Sequence, residues 1–566
     1  MNTQTALTLS SLHRQSDDWI IRLIAILTAL MGVVNLVSAT FPAMRDRLAL
    51  LEHIFPLEVR RGTHLTAALA GFALLLLAET LGRRKRVAWI MTVIILLISA
   101  ISHLIKGLDY EEASLAMALC VVLIANRHHY HSHSDLPSIR NGLLVLLTAI
   151  LFTLVYGTTG FFLLDRHFKI HYSFTAAVRQ TFVMFTQFYD PGLEPLTGFG
   201  HYFGNSIYFV AAGTLLYSFV MLLRPVLLRE PASAQQQIRA REIVEHWGCS
   251  SLARFALFPD KSYFFSPGGT LIAFVPKGRV ALALGDPIGP ESDFPEALEA
   301  FKEYCTQNDW LSAFYQVQPD YLEAYKSSGL ESLMIGQEAV VDLSTFTLAG
   351  KASKDFRTAL NKMERLGHCA ETHVPPLSDD LLQNLRDVSN EWLTSMHGSE
   401  MGFSLGRFDD EYIRHCPVVT ITTPDGTISA FANVITSYQS PQYAIDLMRR
   451  REKIENGTME FLFVTLLRWS KDQGASTFSL GLSPLAGLGA QADDLSTERA
   501  LHYIYENINR FYNFKGLHTF KEKFGPQWQP RYLIHSRLSS LPLIGTALVR
   551  ATTGDNFLTD YLFSAR

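Results

Sequence analysis

The residues best suited to chemistry lie together at the end of one short apolar run. Tyr443-Ala-Ile-Asp-Leu-Met-Arg449 reads as a strand that carries Asp446 and Arg449, with Arg450 and Arg451 just beyond. Asn456-Gly457 then turns the chain. Residues 458–473 have helical periodicity, with Met459, Leu462, Phe463, Leu466 and Leu467 on one stripe, Glu460 in the first turn and Gly474 as a stop. A carboxylate and a guanidinium at a strand end, beside a helix N-terminus, suit a polar substrate and a proton transfer. A surface ion pair has the same appearance in sequence.

Further candidates surround this stretch. The run Met396 to Phe408 is a loop with three glycines, His397, Ser404 and Arg407. The strand 477–482 leads into Ser483-Pro-Leu-Ala-Gly-Leu-Gly489, whose Gly-x-Gly alone is a weak phosphate-loop signal. Between Asn509 and Tyr532, aromatic residues alternate with Arg510, Lys515, Lys521, Lys523 and Arg531. Basic groups interleaved with rings suit stacked bases and phosphates, and a packed terminal strand is the alternative. A helix over 353–366 sets Lys354, Arg357 and Asn361 on one face at spacings of three and four. Such a face grips phosphates of RNA or of anionic lipid, or is simply solvated.

The elements that must position these residues fall into two halves. The chain has 566 residues, 48% apolar, with mean hydropathy +0.13, and the apolar residues concentrate before residue 225. Net charge is only −4, so a nucleic-acid partner requires local patches rather than an overall basic balance. Five scattered cysteines without a CxxC spacing argue against a zinc cluster or a disulfide framework.

Six stretches have the length and apolarity of membrane helices: 19–40, 62–82, 87–105, the short 111–125, 141–164 and 204–223. No small-residue cleavage site follows the first, which reads as an anchor. Arg83-Arg-Lys-Arg86, Arg127 with Arg140, and Arg224 to Arg241 place three loops on the cytoplasmic side. Six spans with a cytoplasmic N-terminus satisfy that pattern. The aromatic, amphipathic segment 174–188 suits the membrane interface. His128, His129, His131 and His133 read as a solvated loop rather than a metal site.

After a linker and opening helix at 225–247, short strands alternate with helices, which predicts an α+β region. Its first unit is expected at 248–374 and its second, holding Asp446, at 375–535. The tail 536–566 is mildly amphipathic and suits contact with the membrane.

Seven motifs in order, Gly285-Asp-Pro-Ile-Gly-Pro290, Phe314-Tyr-Gln-Val317, Ala339-Val-Val-Asp-Leu343, Gly402-Phe-Ser-Leu-Gly-Arg407, Asp446-Leu-Met-Arg449, Arg510-Phe-Tyr-Asn-Phe514 and Phe520-Lys-Glu-Lys-Phe524, resemble the catalytic domain of the aminoacyl-phosphatidylglycerol synthases, the MprF-like proteins. The resemblance spans roughly residues 248–533. It implies two tandem GNAT-like folds that use neither coenzyme A nor another cofactor. It also implies transfer of a lysyl or alanyl group from aminoacyl-tRNA to phosphatidylglycerol at the cytoplasmic face of a bacterial inner membrane, with resistance to cationic peptides as the outcome. A homo-oligomer is compatible with it.

By resemblance Asp446, Arg449 and Lys521 are the catalytic set. Asp446 orients the hydroxyl or the amino group, Arg449 holds the lipid phosphate, and Lys521 stabilises an oxyanion or the tRNA terminal phosphate. Ser404, Arg407, Glu460, Arg510, Lys515, Lys523, Arg531, Lys354 and Arg357 are the substrate-binding candidates. Larger relatives carry more membrane spans, including a lipid flippase. Two rival readings are a transferase to another acceptor, such as a peptidoglycan peptide, and a lipid translocase with a regulatory domain.

Overall fold

A computed structural model describes residues 3–40, 57–130, 132, 136–163, 173–187, 197–222, 232–351, 353–396, 400–484 and 514–554. The chain divides into two compact units, Met1–Leu227 with Thr306–Asp309, and Leu228–Cys305 with Trp310–Arg566.

The N-terminal unit is helical. It contains α1 (Thr3–Thr40), α2 (Leu57–Leu81), α3 (Arg86–Gly107), α4 (Tyr110–Ala125), α5 (Leu136–Leu163), α6 (Phe174–Gln187) and α7 (Gly198–Leu222). Helices thus occupy all six apolar stretches, and α6 the amphipathic one. Among the described residues, Trp19–Ser38 and Arg86–Ile105 are long and apolar enough to cross a membrane, and Ala70–Leu81 is a shorter apolar segment. Gly32 and Gly71 let α1 and α2 approach so closely that a Cβ on either would press on the other's carbonyl oxygen. Asn35 joins α1 to α3, donating to Ser99 Oγ at 2.7 Å and meeting His103 Nε2 at 2.9 Å, all buried. His128 and His129 form a short turn with rings 4.0 Å apart; His131 and His133 lie outside the described residues.

The C-terminal unit is an α+β fold built on one mixed sheet of eleven strands. Its elements begin with α8 (Ala234–Trp247), β1 (Ser262–Phe265), β2 (Leu271–Lys277), β3 (Val280–Leu284), α9 (Phe294–Gln307), β4 (Leu311–Val317), α10 (Leu322–Ser327) and β5 (Glu331–Asp342). Then come α11 (Lys354–Arg365), β6 (Cys369–His373), α12 (Asp379–Ser395), α13 (Asp410–Arg414), β7 (Val418–Thr422), β8 (Ile428–Thr436), β9 (Gln442–Arg450), α14 (Thr458–Asp472) and β10 (Thr477–Pro484). The last are α15 (Phe514–Glu522), β11 (Gln527–His535) and α16 (Leu541–Thr553).

The strand order is β1-β2-β3-β4-β11-β5-β10-β9-β8-β7-β6. Each half contains a parallel pair joined by a helix: β3-α9-β4 and β9-α14-β10. The closing strands are exchanged. β5 leaves the first half to pair with β10, and β11 leaves the second to pair with β4. β6, which lies before the boundary expected near residue 375, pairs with β7, and α11 packs with α14 in the same second-half core.

Two layers cover the sheet. Phe356, Leu360 and Met363 of α11 and Leu462, Phe463, Leu466 and Leu467 of α14 fill one face of the second half. Leu382, Leu385 and Val388 of α12 and Ile413 of α13 fill the other. For α16 the expected membrane contact is corrected: its Leu541, Ile544, Ala547 and Leu548 are buried against β2 and β3, and residues 555–566 lie outside the described residues. An apolar helical stripe looks the same in sequence whether it meets lipid or a sheet. Within the basic-aromatic stretch, the described residues 514–522 form a helix and 527–535 a strand, and residues 509–513 lie outside the described residues. Phe520 and Phe524 pack on Phe463, and Phe524 stacks on Phe356 at 4.8 Å.

Candidate active site

Asp446 and Arg449 are three residues apart on β9, a spacing that points side chains to opposite faces of a regular strand. A bulge changes this. Ala432 pairs with Met448 but Val434 with Ile445, so Asp446 and Leu447 together oppose Asn433. Tyr443, Ile445 and Met448 then face the α14 side, while Leu447 packs under α12. Asp446 and Arg449 both make their contacts on the α12–α13 side. Asn433 holds the bulge: its Oδ1 accepts the Leu447 N–H at 2.7 Å, and its Nδ2 donates to the Tyr412 hydroxyl at 3.2 Å.

The Asp446 carboxylate accepts two hydrogen bonds, from the Tyr412 hydroxyl at 2.6 Å and from the Gly406 N–H at 2.7 Å. Burial raises its proton affinity above the ordinary carboxylate range, against the pull of those two donors and of the Arg449 charge. Burial keeps the Tyr412 hydroxyl protonated, so it remains a donor. Arg449 is buried. Its Nη2 donates to Glu400 at 2.9 Å and its guanidinium lies 4.0 Å from the Trp392 ring centre.

The Gly402–Arg407 loop is pinned from below. Phe403, with φ of 66°, is fully buried against Tyr315, and the Lys261 ammonium sits 5.3 Å from its ring centre. Ser404 is partly buried and Arg407 exposed on the same loop.

On the other side of β9, pairing with β10 stops at Ala444 and Ser479. Beyond that point β9 stays with β8, and β10 with β5. β10 bulges there too, between Ser479 and Leu482, with Gly481 at φ of 81°. Two bulged strands bend and twist apart, which leaves a gap. Lys521 of α15 seats its buried ammonium at this gap, donating to the carbonyls of Gly481 and Leu482, each at 3.0 Å. Burial pulls the Lys521 amine down to about 7, opposed by the Glu338 carboxylate.

Other expected residues sit differently. Arg531 is not at a phosphate-binding surface: it is buried on β11 and paired with Glu338 on β5. Glu460 and Lys523 are partners of each other at 2.8 Å. On the α11 face, Lys354 is exposed, but Arg357 folds onto the Leu348 and Gly350 carbonyls at 2.5 and 2.7 Å. Arg510 and the side chain of Lys515 lie outside the described residues, as do His397 and residues 485–489.

Several residues escaped the sequence reading. Asn433 is a polar residue within an apolar strand, a signal that it must have partners. Asp286 lies in the Gly285–Pro290 motif but is not singled out within it. It accepts the Gln318 N–H at 3.0 Å and the Tyr325 hydroxyl at 3.2 Å, and burial lifts it to about 7. Tyr412, Glu338 and Glu400 carry no local sequence signal.

Comparison with known proteins gives this arrangement a context. Over 524 residues the chain is 30% identical to a phosphatidylglycerol lysyltransferase of Bacillus subtilis (strain 168), covering 92% of this chain and 58% of that protein. It is 32% identical over 301 residues to a phosphatidylglycerol lysyltransferase of Staphylococcus aureus (strain N315), covering 53% of this chain and 36% of that one. The chain thus spans less than two thirds of the length of either relative. Among solved structures, L-PGS from Bacillus licheniformis aligns with 33% identity and a TM-score of 0.52, over 57% of this chain and 98% of that one. Residues 241–535 match the family described as phosphatidylglycerol lysyltransferase, C-terminal, and with more than half of its length inside that match the chain belongs to this family.

Proposed function

We propose that this protein is a membrane-attached transferase that moves a lysyl or alanyl group from aminoacyl-tRNA to phosphatidylglycerol. The observation that carries the reading is the gap between β9 and β10 in a chain of this family. Asp446 stands on one of the parted strands and the Lys521 ammonium rests on the other. They come from opposite layers, Asp446 on the α12–α13 side and Lys521 from α15 on the α14 side. Two large substrates approaching from two faces could meet there without crossing.

A glycerol hydroxyl of the lipid attacks the ester carbonyl carbon. The new ester bond forms, the bond to the tRNA 3′-terminal ribose oxygen breaks, and the hydroxyl proton ends on that oxygen. Holding both reactants in line supplies much of the acceleration. Lys521, poised near neutrality, carries the proton or steadies the oxyanion, and Asp446 orients the hydroxyl or the amino group. Arg449 offers its guanidinium to the lipid phosphate, with Glu400 and Trp392 fixing its plane. The exposed Lys354 contacts tRNA phosphates, with Arg510 and Lys515.

The N-terminal unit serves as a six-span anchor in the cytoplasmic membrane, with the catalytic unit on the cytoplasmic side. An added amino acid reduces the negative surface charge that attracts cationic peptides.

The test is to supply membranes containing the protein with phosphatidylglycerol and either Lys-tRNA or Ala-tRNA, beside an Asp446→Ala variant. A new aminoacylated lipid that vanishes in the variant supports the reading and names the amino acid. No product from either donor, or a product on a different acceptor, sinks it.

A further inference from the structure

Lys521 is linked to a buried ion pair through the backbone of Gly481 and the Ser479 hydroxyl. Its Nζ donates to the Gly481 carbonyl at 3.0 Å, and the Gly481 N–H donates to Ser479 Oγ at 3.1 Å. Ser479 Oγ donates to Glu338 Oε1, and Arg531 Nη2 donates to Glu338 Oε2. Three neighbouring strands, β10, β5 and β11, supply Ser479, Glu338 and Arg531. The Glu338 and Arg531 side chains are only 12% and 5% exposed. Apolar residues of similar volume commonly replace such a buried pair without loss of stability, so stability alone does not account for it.

We propose that Glu338 is a positioning residue for the transfer reaction: through Ser479 and the Gly481 bulge it orients Lys521, and its negative charge governs how readily Lys521 holds a proton. This rests on the assignment of Lys521 to the reaction. The charged and titratable groups of the surrounding elements include Glu338 on β5, Arg531 and His535 on β11, Asp446 and Arg449 on β9, Glu460 on α14, and His518, Glu522 and Lys523 on α15 itself. Glu460 is paired with Lys523, Glu522 accepts from Trp528, and His518 meets Ser483. Glu338 is the carboxylate whose field acts on Lys521.

Glu338→Gln removes the charge, whereas Ser479→Ala breaks the link and leaves the charge. Two readouts apply. In the pH–rate profile, the limb belonging to Lys521 moves to lower pH by about one unit in Glu338→Gln, whichever protonation state of Lys521 is active. Ser479→Ala lowers kcat at every pH with that limb in place.

The second readout needs no activity. The melting-temperature difference between each protein and its Lys521→Met counterpart begins to change at the pH where folded Lys521 loses its proton. That onset moves down by a similar amount in Glu338→Gln. It moves up in Arg531→Gln, which strips Glu338 of its counter-charge and supplies the answer if Glu338→Gln does not fold. An onset unmoved in both variants overturns the proposal, as does a limb displaced by Ser479→Ala as far as by Glu338→Gln. If the onset shifts while no aminoacylated lipid forms in the unaltered protein, the electrostatic link stands and the proposed reaction falls.

Discussion

The Gly406 N–H donates to Asp446 Oδ1 at 2.7 Å, and a Cβ on Gly406 would overlap the other oxygen of the same carboxylate. The glycine is therefore both ligand and spacer. Gly406→Ala is expected to leave the fold intact and push the carboxylate aside. A displacement of that size costs on the order of a hundredfold in rate. Lipid aminoacylation by the folded variant, measured beside its circular dichroism, checks this; undiminished turnover would remove Asp446 from the reaction.

Tyr412→Phe deletes the 2.6 Å hydrogen bond to Asp446 and the acceptor for Asn433. That bond favours the charged carboxylate, so its loss raises an already elevated proton affinity. The expected outcome is a lower rate at neutral pH and an acid limb shifted to higher pH. A pH–rate profile with its acid limb unmoved would contradict the assignment.

Lys521 is near 7 in the folded chain, against an ordinary value of 10.5. Below 7 it is protonated in both folded and unfolded chains. Between 7 and 10.5 only the unfolded chain keeps the proton, so stability rises with pH through that window. Lys521→Met, which carries no buried charge, should melt above the unaltered protein at pH 6. The advantage should shrink as pH approaches 10. A constant difference in melting temperature from pH 6 to 10 would show that Lys521 is not depressed.

Arg449→Lys keeps the charge but loses the planar fork that bonds Glu400 and stacks on Trp392. The expected effect is a KM for phosphatidylglycerol raised about tenfold, roughly 1.4 kcal/mol, with a smaller change in kcat. An unchanged KM would place the lipid phosphate elsewhere.

On α11 the two basic residues should separate. Lys354→Ala is expected to weaken tRNA binding and reduce its salt slope by about one. Arg357→Ala should instead loosen the loop whose Leu348 and Gly350 carbonyls it holds, lowering the melting temperature with the salt slope unaltered. Filter binding across a salt series separates the two.

The run Tyr443–Arg449 announces a strand, and its Asp446 and Arg449 are visible as candidates because charged residues stand out at the end of an apolar run. That they share a face is not visible, since it depends on a bulge pinned by Asn433, on a different strand. Arg531 illustrates the opposite error. Among rings and lysines it looks like a phosphate ligand, but burial and Glu338 on β5, far away in the chain, decide its role. The C-terminal helix fails for a similar reason, because amphipathicity reports an apolar face and not what covers it. Strands and helices follow local pattern; strand exchange does not, because each exchanged strand pairs with strands of the other half.

That exchange bears on how the chain is made. β5 is synthesised early, yet both its neighbours, β10 and β11, belong to the later half. During elongation its two edges stay unpaired until the last strands leave the ribosome, long after the N-terminal helices have emerged. The centre of the sheet, with Glu338 and Arg531, is then the last region to close, together with the α15 residue Lys521 that bonds β10. A chain that stops short of β11 would leave β4 and β5 each with an open edge, prone to aggregation rather than partly active.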